Sequence, residues 1–326
     1  MTGSPPWLRI AAVPVMLVAG ALVAVQSRIN GDLAVALGNG PRAGFGSALI
    51  SFGSGLVLVG LVTALLPSGR VGVGNLRGAL RRRSIQPAEM IGGAFGAFLV
   101  ATQGLTVGTI GVALFSIAVT AGQSASALLV DHLGLGPSGH QPLSVPRLVA
   151  ATFAVAAVVL AAGERLAESF GWQTAFFALL PLLAGAGTAV QQALNGRLSA
   201  VGGPWATTLN NFIVGTGVLI VCFALSLLAG GRLDALPSNP VLYAGGAIGV
   251  GFIWLAAVLV KVHGVLVLGL SMIAGNVIGA EFLELAGSDA RVGWVGAGAG
   301  ALTVMGVLIA VLVRPRSPVP AASTAP

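Results

Sequence analysis

Two pairs of side-chain amides stand out in a chain that has few polar groups to spend. Gln26 and Asn30 lie four residues apart within Gln26-Ser27-Arg28-Ile29-Asn30-Gly31-Asp32-Leu33, and Gln191 and Asn195 repeat that spacing within Gln191-Gln192-Ala193-Leu194-Asn195-Gly196-Arg197-Leu198. Each phrase follows a Gly-rich apolar run, and the two are offset by 165 positions. Four residues apart on a helix is one face. An amide both donates and accepts, so it can orient a neutral or weakly charged ligand without burying a full charge. Two more amides, Gln123 and Asn276, each follow Ala-Gly and are offset by 153. These six residues are the candidate substrate contacts.

Carboxylates supply the second chemistry. Asp131, Glu281 and Glu284 fall inside apolar stretches, where a charge costs on the order of 2.5–3.5 kcal/mol at a membrane helix centre. Glu281 and Glu284 are neighbours on one helix face, so burying both would raise one pKa and poise it for proton exchange. Coupling or gating is therefore the candidate role of these three acids, with solvated interfacial positions as the competing reading for Asp131 and Glu284. Ser116, Thr120 and Gln123 form a polar stripe that either lines a cavity or binds helices together. Asn210 and Asn211, with Thr102 and Gln103, are further cavity candidates. Arg28 and Asp32 have the spacing of a local ion pair near the surface.

The elements that carry these residues are membrane helices. Of 326 residues, 56% are hydrophobic and only 8% charged, against about 25% charged in a soluble domain. Apolar stretches long enough to span fall near 10–30, 43–66, 88–107, 111–133 and 147–163, then near 175–197, 205–229, 241–260, 264–286 and 292–313. The expected fold is thus an all-α integral membrane protein of ten transmembrane helices. Residues 1–168 and 169–313 form the two five-helix repeats, and 314–326, rich in Pro and Ala, is a disordered tail.

Further matches support the repeat. Ile50-Ser51-Phe52-Gly53-Ser54-Gly55 answers to Asn210-Asn211-Phe212-Ile213-Val214-Gly215, and Gly92-Gly93-Ala94-Phe95-Gly96 to Gly245-Gly246-Ala247-Ile248-Gly249. Five spans is an odd number, so the second copy enters the membrane inverted, as in many transporters. With the N-terminus inside, the inner loops hold Arg9, Arg70, Arg77, Arg81, Arg82, Arg83, Arg147, Arg197, Lys261, Arg314 and Arg316; the outer hold Arg28, Arg42, Arg165, Arg232 and Arg291. That bias places both termini in the cytoplasm and the protein in the cell membrane.

These motifs resemble a known family. Gln26 with Asn30-Gly31, Ser51-Phe52 with Gly55, Gly92-Gly93 with Gly96, and Ala121-Gly122-Gln123 running on to Leu128-Leu129-Val130-Asp131-His132-Leu133-Gly134 look like the YdcZ-type, EamA-like branch of the drug/metabolite transporter superfamily. There a five-span unit occurs alone, paired or fused, and this chain looks like a fusion. The second half departs, with Asn276 for Gln123, Glu284 for Asp131, and Glu281 where the first half has Leu128. The resemblance implies a membrane transporter, described in that family as an exporter, and no particular substrate.

The expected function is secondary transport of a small molecule, with protons as the candidate coupling ion. A dual-topology ion channel, an intramembrane lipid-modifying enzyme and the permease subunit of an ATP-driven importer are the alternatives. The scattered acids do not assemble a two-metal site, and a P-loop is absent, so neither enzyme nor ATPase chemistry is expected and no cofactor or metal is invoked. The net charge of +7 sits in loops without interleaved aromatics, so the bilayer, and not nucleic acid, is the expected partner. Cys222, the only cysteine, excludes an intrachain disulfide. His132, His140 and His263 are not spaced for a metal.

Overall fold

The computed structural model describes residues 6–136 and 172–286, together with a few isolated positions in 140–156 and 298–305. Most of the expected fifth and tenth spans, and the whole tail, lie outside the described residues. The described chain is almost entirely helical: α1 (Pro6–Leu37), α2 (Gly40–Leu65), α3 (Pro67–Arg81), a 3-10 turn (Pro87–Ile91), α4 (Gly92–Ile110), α5 (Val112–His132), α6 (Trp172–Ser226) and α7 (Gly245–Leu285). Among the described residues four helices are long and apolar enough to cross a membrane: Gly40–Leu65, Pro87–Ile110, Val112–Val130 and Leu179–Ser226. Pro240–Ala256 and Met272–Leu283 are shorter apolar helices.

Glycine decides where the long helices break. α6 has 55 residues, about 80 Å at 1.5 Å per residue, far more than a bilayer core of about 30 Å. It bends at Gly203, whose φ of 74° is non-helical, and Pro204 follows immediately. Thus the two spans expected at 175–197 and 205–229 are the two arms of one bent helix. Gly111 (φ 80°) separates α4 from α5 in the same manner. Left-handed φ costs glycine little and other residues much.

One element was not anticipated. The stretch 67–81 carries several arginines and reads as a loop by hydropathy, yet it forms α3, whose Gly69, Gly72, Leu76 and Ala79 are buried. Those four positions share a face. Leu76 and Ala79 pack with Ile85, Leu198 and Ala206, and Gly72 abuts the carbonyl of Gly202 beside the α6 bend. In the second half, the chain after α6 instead forms a two-residue strand, β2 (Arg232–Leu233), antiparallel to β1 (Gly38–Asn39) after α1.

Matched positions make matched contacts. Gly20 of α1 abuts the Met272 carbonyl on α7, and Gly185 of α6 abuts the Val119 carbonyl on α5; Gly275 meets the Leu17 carbonyl, and Gly122 the Leu182 carbonyl. A Cβ at any of the four would collide with backbone, so the helices approach as closely as small residues permit in membranes. α1 therefore packs closely on α7, and the first arm of α6 on α5. Phe52 and Phe212, offset by 160, face each other with ring centroids 4.9 Å apart, Gly55 lies under Phe212, and Gly215 lies under Phe52. This aromatic pair anchors the core of Ala48, Val59, Ala97, Val100, Leu219 and Val250.

Candidate functional site

The polar side chains gather into two buried networks, one for each opening phrase. In the first, the Ser27 hydroxyl donates to the Val23 carbonyl (2.8 Å), Gln103 Nε2 donates to Ser27 Oγ (3.0 Å), and Asn30 Nδ2 donates to Gln103 Oε1 (2.6 Å). Ser47 of α2 also donates to the Asn30 carbonyl (2.6 Å). The bonds run in one direction, which orients the Asn30 amide: its Nδ2 is used and its Oδ1 is presented outward, toward Gly245. Asn30 and Gln103 are each 0% exposed. α1, α2 and α4 are thereby tied together by bonds that lipid could not replace.

In the second network, Gln191 Nε2 donates to Asn211 Oδ1 (3.1 Å), and Asn211 Nδ2 donates to Asn195 Oδ1 (2.7 Å) and the Thr207 carbonyl (2.9 Å). Gln191 and Asn195 precede the Gly203 bend and Asn211 follows it, so this network staples the two arms of α6. Asn210 reaches away from it and donates to the Met90 carbonyl (2.8 Å), just before α4.

Both networks rest on a glycine floor from the other half. A Cβ on Gly92 would lie 3.0 Å from Asn195 Oδ1, and one on Gly96 would lie 2.6 Å from Gln191 Nε2. In the first half, Gly245 faces Asn30 Oδ1, and a Cβ on Gly249 would lie 2.8 Å from Gln26 Nε2. The opening phrases and the Gly-Gly-x-x-Gly motifs are thus parts of one construction, used twice.

The two copies differ in the amide that completes them. The position matching Asn211 is Ser51, whose hydroxyl has no hydrogen-bond partner among the described residues, where Asn30 Oδ1 likewise accepts no bond. Both atoms face the Cβ position of Gly245. Conversely, Gln103 completes the first network, and its counterpart in the second half, offset by 153, is Ala256. Gln103 and Asn211 were legible as isolated amides. Their complementary roles were not, although each standing opposite a small residue in the other copy was the available signal.

The remaining expected residues are placed as follows. Gln123 and Asn276 are both buried, and Asn276 Oδ1 lies 3.4 Å from the Ser116 hydroxyl, joining α7 to α5. Thr120 is buried on the same stripe, with a hydroxyl that lacks a partner among the described residues. No hydrogen bond joins Gln123 to Asn276 among the described residues. Glu281 is half-buried on α7. Asp131 and Glu284 belong to α5 and α7, but their side chains lie outside the described residues, as does that of His263. Arg28 and Asp32 form the expected i,i+4 ion pair at 3.0 Å, with both side chains about half exposed (49% and 48%). His132 and His140 are exposed with rings 5.0 Å apart, and no group of three metal-ligating side chains occurs among the described residues.

Apolar helices of spanning length, close glycine contacts and side-chain amides gathered inside the bundle, away from lipid, define an all-α, membrane-embedded protein. The chain belongs to the family described as "Putative inner membrane exporter, YdcZ", which matches residues 11–160 and 176–314. At a coarse level it is thus a membrane transporter of the exporter type. No curated protein matches the sequence. A solved crystal structure is similar over 92% of this chain and 96% of its own, with a TM-score of 0.57 and 17% sequence identity. At that identity the likeness is one of fold alone.

Proposed function

We propose that the protein is a secondary active transporter that exports a small, neutral or weakly charged molecule by alternating access. It does so with ten spans, arranged as two inverted five-helix repeats over residues 1–168 and 169–313 and followed by a tail. The observation that carries this reading is the pair of buried amide networks, built at repeat-matched positions and each closed by glycines of the opposite half. Opening one network against its floor while the other stays closed is a rocking motion of the kind inverted repeats perform. Gln26, Asn30, Gln123, Gln191, Asn195 and Asn276 are the proposed substrate contacts, with Ser116, Thr120, Asn210 and Asn211 lining the path. The pairing of the chain after α1 with the chain after α6, and the seating of α3 on the α6 bend, agree with the alternation that inversion requires.

Glu281 is the proposed coupling acid, with Asp131 and Glu284 as gating candidates. The test is a thermal-stabilisation screen of small neutral compounds on the purified protein, followed by flux of the stabilising compound in proteoliposomes with and without a pH gradient. Saturable flux driven by the gradient is expected, and Glu281→Gln should remove the gradient dependence while leaving compound binding intact. A non-saturating conductance would make the protein a channel. Unchanged pH dependence in Glu281→Gln would move coupling to Glu284 or Asp131.

A further inference from the structure

We propose that α3 is a docking surface for anionic phospholipid headgroups, seated on the joint of α6. Arg70, Arg77 and Arg81 are spaced by seven and four residues, which at 100° per residue confines them to a sector of about 40° on the helix. Their stripe faces away from the buried Gly69, Gly72, Leu76 and Ala79. Arg82 and Arg83 follow it in the chain, which turns at Arg83 through a left-handed φ of 55°, and all five arginines are exposed residues.

Among the described residues no acid pairs with these arginines; the ion pairs Arg28–Asp32 and Arg232–Asp234 lie elsewhere. Arg70 donates to the Ala64 carbonyl at 3.2 Å. Glu89 is the one acid between positions 66 and 91. Phosphates are the complementary partner for such a fork-bearing cluster. Exposed apolar side chains beside the stripe indicate which phosphates. Leu65 at the end of α2 is 74% exposed and Val71 on α3 is 62% exposed, the layout of an interfacial helix with apolar residues toward the acyl chains and arginines at headgroup level. Both side chains lie at or next to the end of the spanning helix α2, where acyl chains are the apolar neighbours at hand.

The surface also sits where binding could matter. Gly72 abuts the Gly202 carbonyl and Leu76 packs on Gly202, next to the non-helical Gly203 that divides α6. Lipid held on one face of α3 presses its other face onto that joint. The loop after α6 offers nothing equivalent, since Arg232 there is paired with Asp234 at 2.9 Å. The device is therefore one-sided. It rests on the membrane class of the protein and not on the transport reading.

The experiment places the full-length protein in nanodiscs of phosphatidylcholine, with or without 30% phosphatidylglycerol (about one lipid in three), and measures thermal unfolding and hydrogen exchange over 198–206. Phosphatidylglycerol should raise the unfolding midpoint and slow exchange at the joint, and both effects should shrink as salt rises. Removing three arginines together, Arg77→Gln, Arg81→Gln and Arg83→Gln, should weaken titrated phosphatidylglycerol binding by roughly a hundredfold, about fivefold per arginine. Arg232→Gln should leave it unchanged, and the corresponding triple Arg→Lys variant keeps the charge and covers the case of a poorly folding Gln variant. Equal stabilisation by phosphatidylcholine, by inorganic phosphate or in the triple Gln variant overturns the proposal. So does stabilisation by an acidic polypeptide or RNA in place of lipid.

Discussion

Asn211→Leu probes the centre of the second network at nearly constant volume. It leaves Gln191 Nε2 and Asn195 Oδ1 without the partners they have at 3.1 and 2.7 Å. The third bond, to the Thr207 carbonyl, matters less, because that carbonyl also accepts a helical bond. A buried polar group stripped of its partner costs about 1–3 kcal/mol; Gln191 is buried and Asn195 half-buried, so the two together cost roughly 1–4 kcal/mol. Interhelical bonds in membranes average only about 0.6 kcal/mol, which sets a floor of roughly 1 kcal/mol for the pair. A thermal unfolding series in detergent, run as a double-mutant cycle with Asn195→Leu, separates these values. The single variants should each lower the midpoint, and the double variant should lose less than their sum, since one bond is broken in all three. An unchanged midpoint, or strict additivity, would refute the claim that this network joins the arms of α6.

The first network should respond in the opposite direction. Ser51→Asn supplies the donor that Asn211 supplies in the other copy, within reach of the unpaired Asn30 Oδ1, and a gain of about 1 kcal/mol is expected; a lower midpoint would mean that the space beside Gly245 cannot hold it. Gln123→Ala and Asn276→Ala should each weaken compound binding while folded protein is recovered, and a loss of stability alone would make both residues helix bridges. In a Cys222→Ser background, single cysteines at Ser84 and Ser238, both exposed, test the orientation in intact cells with an impermeant thiol reagent. Ser238→Cys should react and Ser84→Cys stay protected, and the reverse pattern would invert the topology.

Much of this architecture is local and could be read from residue order. Spanning length and apolar composition decide membrane helices, because unsatisfied backbone in lipid leaves few alternatives. The Arg28–Asp32 pair follows from helix geometry alone, and the family belongs to motifs that survive as text. The repeat offset is 165 at the opening phrases, 160 at Phe52 and Phe212, and 153 after α3, which the second half replaces with a shorter connection.

What residue order left open was decided by contact between distant segments. α3 was hidden because its buried face is mostly glycine and alanine, which carry almost no hydropathy signal. Its helix is selected by the fit of Gly72 to the Gly202 carbonyl, an interaction between positions 130 residues apart. The same holds for Gly203: many glycines punctuate the chain, and only the packing around α6 makes that one adopt a left-handed φ. The amide networks are the sharpest case. Composition says that a buried amide must be satisfied, but an amide can be satisfied by any donor or acceptor within reach. Only the folded backbone brings Gln103 to Asn30 and Asn211 to Asn195, and leaves the Ser51 hydroxyl, the counterpart of the Asn211 amide, with none.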